Sequence, residues 1–517
     1  MELVKKNIHM DYTKASAASQ FVLEEDMNLP DVKPDVDRIC LERGTVQIDE
    51  VKAYTDSVTI RGRLLFHVLY HSDEENKNLA NLEGKLSFEE KVHMPGIEAS
   101  DAVKAEGIVE DLSVNIINSR KLNIQSVINL LVNAEDIYDE EVPIGLQGEE
   151  KVEYRRSPMD IAQIAICKND IFRIREEINL PANYPNIFDI LWSSLVLDDV
   201  EIRPLEGKLS LQGDLRLMLI YETEDDTVRS FETTVSFSGN VECQGCREGM
   251  IPDISYQLGQ QELTIRPDND GEERMVALEA IVELKLKLYE EAKVELITDV
   301  YGVKNEVTAV EQETMLRRLL TKTTGKQKIM EHVRIGEKNS SILQLLHSEG
   351  SVLLDKAQIG ENHITVTGSI PLQVLYISGD DRKPYDALHT QLPYKYDIEI
   401  PGVQPQDTFD VQAGLEQLQV TILDGEELDV KAVAVFCVTV FQQEKVNLVT
   451  EIKTLPLDTK KLGNLPGMAI YTVKAGDSLW SIGRKYYLSV DRLKKMNELT
   501  TDMIYPGQKL LIIKESI

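Results

Sequence analysis

Three nine-residue stretches, GRLLFHVLY (Gly62 to Tyr70), GDLRLMLIY (Gly213 to Tyr221) and GSIPLQVLY (Gly368 to Tyr376), repeat a glycine, an apolar run and a tyrosine, 151 and 155 residues apart. Self-similarity at that period constrains the fold more than any other feature, because each copy has to build the same supersecondary unit. The likeness spreads in both directions. FVLEEDMNLP (21–30) precedes FRIREEINLP (172–181) by 151 residues, and LSFEEKVHMPG (86–96), VSFSGNVECQG (235–245) and LPYKYDIEIPG (392–402) align without gaps. KLNIQSVINLLV, RMVALEAIVELKL and ELDVKAVAVFCVTV close the copies, while the lead-in of the third copy is degenerate and is expected at VRIGEKNSSILQLL (333–346).

These segments are short β-branched or alternating runs bounded by Gly, Pro, Asn and Asp, the pattern of strands rather than helices. The expected fold is mainly β: three tandem antiparallel units, sandwich-like or barrel-like, at 1–150, 151–310 and 311–458. A linker at 459–468 and a small βααβ domain at 469–517 complete the chain. EVTAVEQETMLRRLLTKTTGKQKIMEHV (306–333) is expected to hold a short helix or an extended crossover, and KVEYRRSPMDIAQIA (151–165) to play the same part earlier.

Several residue types within the copies suggest chemistry and are better read as packing. Tyr70, Tyr221 and Tyr376 each end an apolar strand, where a ring can be buried and a hydroxyl kept wet, in preference to a ladder for stacking sugars. The aligned glycines suit a bulge or a close strand approach. CQGC (Cys243, Cys246) looks like half a metal site, but no second pair completes four ligands, and the sister copies put Met94 and Ile97, and Ile400 and Val403, at the same positions. His67 aligns with Met218 and Gln373. No nucleophile and base stand at a catalytic spacing, so the expectation is a protein without catalytic residues, metal or cofactor.

The chain carries 56 basic and 88 acidic residues, a formal charge of −32, which sets nucleic acid aside as a partner. No apolar run reaches the roughly 18 to 20 residues of a membrane span. The first 21 residues lack the apolar stretch of a secretory signal, and five cysteines do not make a disulfide framework. Together they point to the cytosol.

Residues 469–517 differ from the body in holding eight Lys/Arg against five Asp/Glu. AIYTVK reads as a strand, Gly476 as a turn and Asp477 or Ser478 as a helix cap. Leu479, Ile482, Gly483 and Tyr486 then fall on one inward face. Ser489 caps a second helix, and YPGQ (505–508) turns into a final strand, KLLII. Trp480 lies about 100° off the buried face, with Arg484 and Tyr487 following at i+4 and i+7. Trp, Arg and Tyr on one face is the composition of a protein-binding hot spot, with Met468 extending the patch. The alternative is a tryptophan folded onto its own helix or linker.

The run Y-x-V-x-x-G-D-S-L-x-x-I … Y … N-x-L … I-x-P-G-Q-x-L resembles the LysM module at nearly all its signature positions, with Gly483 in place of the more usual alanine. That resemblance implies binding of N-acetylglucosamine polymers in a groove between Gly476, Asp477, Ser478 and Leu479 on one side and Met503, Ile504, Tyr505 and Pro506 on the other. The whole arrangement, three divergent β units followed by this module, resembles the SipL family of clostridial spore-formation proteins. The resemblance implies a non-enzymatic mother-cell protein that assembles the spore coat at the forespore outer membrane. Its LysM module would dock onto a SpoIVA-type coat ATPase through Trp480, Arg484, Tyr487 and Met468, and its β units would meet other coat proteins. Peptidoglycan is the alternative ligand.

Overall fold

In a computed structural model the chain is described over residues 2–72, 79–148, 152–336, 341–380, 383–456 and 467–513. The expected linker at 459–468 lies outside the described residues up to 466.

Strand β3 (Ser57–His71) shows why the repeated nine-mers fold alike. Val58, Ile60, Leu64, Phe66, Val68 and Tyr70 are all buried, every second residue, as a strand with one face on a core requires. The single gap in that series is Gly62. A Cβ there would lie 2.6 Å from both the Gln47 carbonyl and the Phe88 ring, so the glycine lets the next strand's ring cover the backbone. Gly213, under Phe237, and Gly368, under Tyr394, repeat the arrangement.

In the first unit β3 lies between β2 (Arg38–Tyr54) and β4 (Leu79–His93). A second sheet places β6 (Lys121–Gln147) between β1 (Glu2–Asn28) and β5 (Val103–Asn118). All pairings are antiparallel, and the two sheets enclose one apolar core, giving a sandwich. The second unit repeats it with β7 (Val152–Asn179), β8 (Asp189–Leu205), β9 (Lys208–Glu222), β10 (Val228–Glu242), β11 (Ile251–Arg266) and β12 (Met275–Gly302). In the third unit, β13 (Glu306–Arg334), β16 (His363–Ser378), β17 (Tyr385–Glu399), β18 (Thr408–Asp424) and β19 (Glu427–Leu455) keep the plan. The strand equivalent to β2 is broken there into β14 (Ile342–Gly350) and β15 (Leu353–Ile359).

Two expectations need correction. Residues 306–333 and, of 151–165, the described 152–165 are neither helix nor crossover; they belong to β13 and β7, which pair with β19 and β12 along their whole lengths. The ladder pairs the backbone groups that face the neighbouring strand, and as edge strands β7 and β13 leave only their outer row to water. The division expected at 310/311 therefore falls inside β13, and the second unit's last strand ends at Gly302. The third lead-in also lies earlier than 333–346. Leu29, Leu180 and Ile335 are equivalent, each donating its N–H to a carbonyl just before the last strand, of Arg120, Arg274 and Glu426.

The aligned tyrosines are fully buried, rings and hydroxyls together. Tyr70 donates to the Pro34 carbonyl at 3.0 Å, Tyr221 to Pro185 at 3.4 Å and Tyr376 to Asp386 at 3.3 Å. Cys243 and Cys246 are buried beneath a turn at Gly245 in the places that Met94 and Ile97, and Ile400 and Val403, fill in the sister units.

The three units share further cores. Leu41 and Leu69 of the first, Trp192 and Ile220 of the second and Leu375 of the third form one buried cluster. The structurally aligned positions do not carry the same residue because their side chains meet each other. Trp192 is fully buried, His67 stacks on it at 4.5 Å, and the Arg43 guanidinium lies 4.7 Å from its ring centroid. Arg43 also donates to Glu349 of the third unit and, at 2.8 Å, to the Ser193 carbonyl of the second, and His347 lies 2.9 Å from Glu349. Burial favours a protonated Glu349, but Arg43 and His347 outweigh it and hold the carboxyl well below the usual range.

A second shared cluster lies where the long strands run beyond their sandwiches, with Ile8, Met10 and Val142 meeting Ile161, Leu296, Leu316 and Leu448. Bulges at Lys14, Ala165 and Leu320 interrupt the ladders at equivalent points. Bulges bend strands, and these mark where each long strand leaves its own unit. No helix is long and apolar enough to cross a membrane among the described residues.

Burial, with the Arg43 charge beside it, pushes the His67 imidazole from 6.5 down to about 4. The unfolded chain therefore binds this proton first, and stability held above pH 6.5 is lost as pH falls towards 4. At pH 5 the contribution is about 2 kcal/mol. A His67→Gln chain is expected to lose less stability between pH 7 and pH 5 than the natural chain, by about that amount, in urea unfolding; equal losses contradict the stacked, neutral imidazole.

Candidate functional site

The C-terminal domain is small enough that its fold depends on local signals. β20 (Met468–Thr472) pairs antiparallel with β21 (Lys509–Ile513), and α1 (Leu479–Tyr486) and α2 (Val490–Met496) lie between them in sequence. Ser478, not Asp477, caps α1: its Oγ accepts from Ser481 N at 3.1 Å while Ser481 Oγ accepts from Ser478 N at 3.0 Å. Asp477 instead closes the preceding turn, accepting from Lys474 N and the Tyr471 hydroxyl, both at 2.8 Å. These donors hold its carboxyl below the usual range. Ser489 caps α2. Val473, Leu479, Ile482, Leu488, Leu493, Leu510 and Ile512 form a core of the domain's own, and Asn497 ties α2 to β21 by bonds to both backbone groups of Leu511.

The two loops expected to form a groove are brought together. Val473 exchanges backbone bonds with Gly507 and Gln508, at 2.8 and 2.9 Å, which sets the 474–478 turn beside the 503–507 turn. Gly476 and Gly507 have φ of +90° and +88°, where a side chain is strained. Gly476, Ser478, Met503, Tyr505 and Pro506 are exposed, Asp477 is half-buried, and Leu479 and Ile504 turn into the core. The two turns thus lie side by side and exposed, with the Tyr505 ring on one of them.

The tryptophan face is occupied. Trp480 Nε1 donates to Asp299 Oδ2 at 2.7 Å, and Arg484 donates to the same carboxylate at 3.1 Å. The indole meets the Tyr301 ring edge-on with centroids 4.7 Å apart, and the Tyr301 hydroxyl donates to the Leu488 carbonyl at 2.9 Å. Asp299 and Tyr301 are i and i+2 on β12 and so share a face. Glu153 stands opposite Tyr301 on β7, near the Val490 N–H at the start of α2, and burial there pushes its carboxyl up. Burial also pushes the Tyr301 hydroxyl up.

Of the four residues expected to form the docking face, Trp480 and Arg484 thus converge on one acceptor. Tyr487 does not continue their stripe, because it follows the helix in a left-handed conformation, φ 55°. Met468 lies on β20, 65% exposed beside Ile470 at 70%. Sequence reasoning missed Asp299, Tyr301 and Glu153. A signal was present. The bulges at Ile144, Thr298 and Thr450 align the three last strands, and the positions that hold Asp299 and Tyr301 carry Gly145 and Gln147 in the first unit and Glu451 and Lys453 in the third. The acid-aromatic pair is therefore not a requirement of the sandwich.

Comparison with known proteins places both parts. Residues 35–117, 186–266 and 341–423 match the model of the SipL SPOCS domain, and residues 471–512 match the LysM domain. Among curated proteins, the chain is 43% identical over 65 residues to the N-acetylmuramoyl-L-alanine amidase sle1 of Staphylococcus saprophyticus. It is 48% identical over 46 residues to a probable N-acetylmuramidase of Lactococcus lactis, and 54% over 43 residues to the probable endopeptidase p60 of Listeria monocytogenes. These matches cover 13%, 9% and 8% of this chain and 20%, 10% and 9% of those proteins. No solved structure matches the chain.

Replacing Asn497 by Ala leaves both Leu511 backbone groups without their partner, at a cost of about 2 kcal/mol. Amide hydrogen exchange by mass spectrometry is expected to quicken in peptides from 479–513 of the full chain and to stay unchanged in the β units; unchanged exchange in 479–513 contradicts the role given to Asn497.

Proposed function

Because this chain is a SipL-type protein, three SPOCS domains followed by a LysM domain, we propose that it is a non-enzymatic scaffold of spore-coat assembly. It works in the mother-cell cytoplasm at the forespore surface and docks through the Trp480–Arg484 face of its LysM domain onto a SpoIVA-type coat ATPase. The observation that carries this reading is the pairing of an indole N–H and a guanidinium on one protein carboxylate, beside a protein aromatic ring. That face meets polypeptide chemistry within the chain itself. A tryptophan and an arginine at the centre of a small contact are what interface hot spots are made of, and a net-basic domain selects acidic surfaces.

The shared cores suit a scaffold, since three SPOCS domains held as one body offer several fixed surfaces to coat components. The relatives' names are those of cell-wall enzymes, but the likeness lies in the LysM stretch. Their activities do not come with it.

One observation favours a second reading, peptidoglycan binding. The 474–478 and 503–507 turns lie side by side and exposed, with Tyr505 65% exposed to stack on a sugar face.

A single experiment separates the two. Full-length chains with Trp480→Glu and with Tyr505→Ala are each presented to the ATPase and to purified peptidoglycan. Docking predicts that Trp480→Glu abolishes capture of the ATPase while Tyr505→Ala retains it. Peptidoglycan binding predicts sedimentation with the polymer, competed by N-acetylglucosamine oligomers and lost in Tyr505→Ala. Capture of the ATPase undiminished by Trp480→Glu contradicts the docking reading.

A further inference from the structure

The face proposed above as the docking surface is closed in the folded chain. Trp480 and Arg484 share Asp299, and Tyr301 meets the indole edge-on and reaches the Leu488 carbonyl. A partner cannot use the single indole N–H while Asp299 holds it, whereas the half-exposed Arg484 keeps donors to spare.

We propose that Asp299 and Tyr301 are an internal occupant of the LysM docking face, which a protein partner must displace by presenting a carboxylate of its own beside an aromatic ring. This rests on the docking reading of the preceding subsection. Three observations carry it. First, the acid-aromatic pair occurs in the second β unit alone, beyond the residues that match the SPOCS domain, where the aligned positions of the other units hold Gly145 and Gln147, and Glu451 and Lys453. Second, Gly483 stands inside α1, where glycine is unfavourable relative to alanine. A Cβ there would lie 2.5 Å from the Tyr301 hydroxyl and 2.7 Å from the Leu488 carbonyl, so the helix is shaped to admit the tyrosine. Third, the LysM domain has its own core, and a handful of side chains join it to the second unit. Its fold does not depend on the seat it occupies. A small contact centred on one carboxylate is strong enough to be specific and weak enough to exchange.

The device is competitive. The partner's apparent affinity is its intrinsic affinity reduced by the fraction of chains in which the face is open. An acid in the partner takes the place of Asp299, so the exchange preserves the charge-assisted bonds.

The test uses the full chain and its two tryptophans, of which Trp192 is fully buried, so changes in collisional quenching report Trp480. In an Asp299→Lys chain, which sets like charge against Arg484, acrylamide quenching is expected to rise about twofold with a red shift of emission, because the closed population is lost. Capture of the SpoIVA-type ATPase is expected to rise about fivefold as the open fraction approaches one. It should fall as salt is added, as a carboxylate partner requires. Should Asp299→Lys fail to fold, Asp299→Asn, which keeps the shape and loses the charge, gives the same directions with smaller changes.

Unchanged quenching overturns the proposal, since the contact would then not form in solution. Raised quenching with unchanged capture also overturns it, by separating the contact from docking, and capture indifferent to salt contradicts the exchange of one acid for another. Raised quenching with no capture by either chain sinks the docking reading itself and leaves an ordinary domain contact.

Discussion

The burial of Trp192 among side chains from all three SPOCS domains is the contact on which the rest of the molecule depends. Each domain is a sandwich of two small sheets, and its longest strands, of 27 to 29 residues, run well past the sandwich they belong to. Those extensions have apolar faces that nothing within their own unit can cover. Packing three such units about a common centre covers these extensions with one another, through Ile8, Leu296 and Leu448, while Trp192, Leu69 and Leu375 join the shorter strands of the other sheets. Truncating a buried tryptophan costs about 3–5 kcal/mol, and here the loss would fall on the joint between units. The ionic contact of Arg43 with Glu349 and the bond from Arg43 to the Ser193 carbonyl then fix which unit meets which.

That assembly also builds the seat of the LysM domain. Asp299, Tyr301 and Glu153 sit at the far ends of β12 and β7, just past the bulge at Thr298, beyond the sandwich, where Ile297 and Val300 pack against Val307 and Val449 of the third unit. A carboxylate in this position receives an indole N–H and a guanidinium at once, and charge-assisted bonds of that kind are roughly twice as strong as neutral ones. The LysM domain therefore divides its surface. One side is engaged with protein, and the paired turns at 474–478 and 503–507 are left exposed.

Much of this was legible in the residues, and the reason is periodicity. The inward residues of β3, β9 and β16 alternate around a glycine, and the glycine is required because a ring from the next strand lies on it. The βααβ order of the last domain follows from Ser478, Ser489 and Asn497. The association of the units was written in positions that looked like drift. His67, Met218 and Gln373 align yet differ, and so do Leu41, Trp192 and His347, because residues that face one another across a centre must be complementary rather than alike. The strands at 152–165 and 306–333 were obscured by polar residues, which belong there since much of their outer face meets water. The stripe of Trp480 and Arg484 could be read from helical spacing. Its acceptor could not, because Asp299 lies 181 residues earlier in a strand whose sisters carry no acid-aromatic pair.

The central claim is that three SPOCS domains form one body around a shared centre, with the LysM domain seated on it. Small-angle X-ray scattering of the full chain measures this directly. A compact particle of this length has a radius of gyration of about 24 Å, and the account predicts a value close to that with a single-peaked distance distribution. Three separate domains in a row would give about 34 Å, and such a value, with a multi-peaked distribution, would contradict the account.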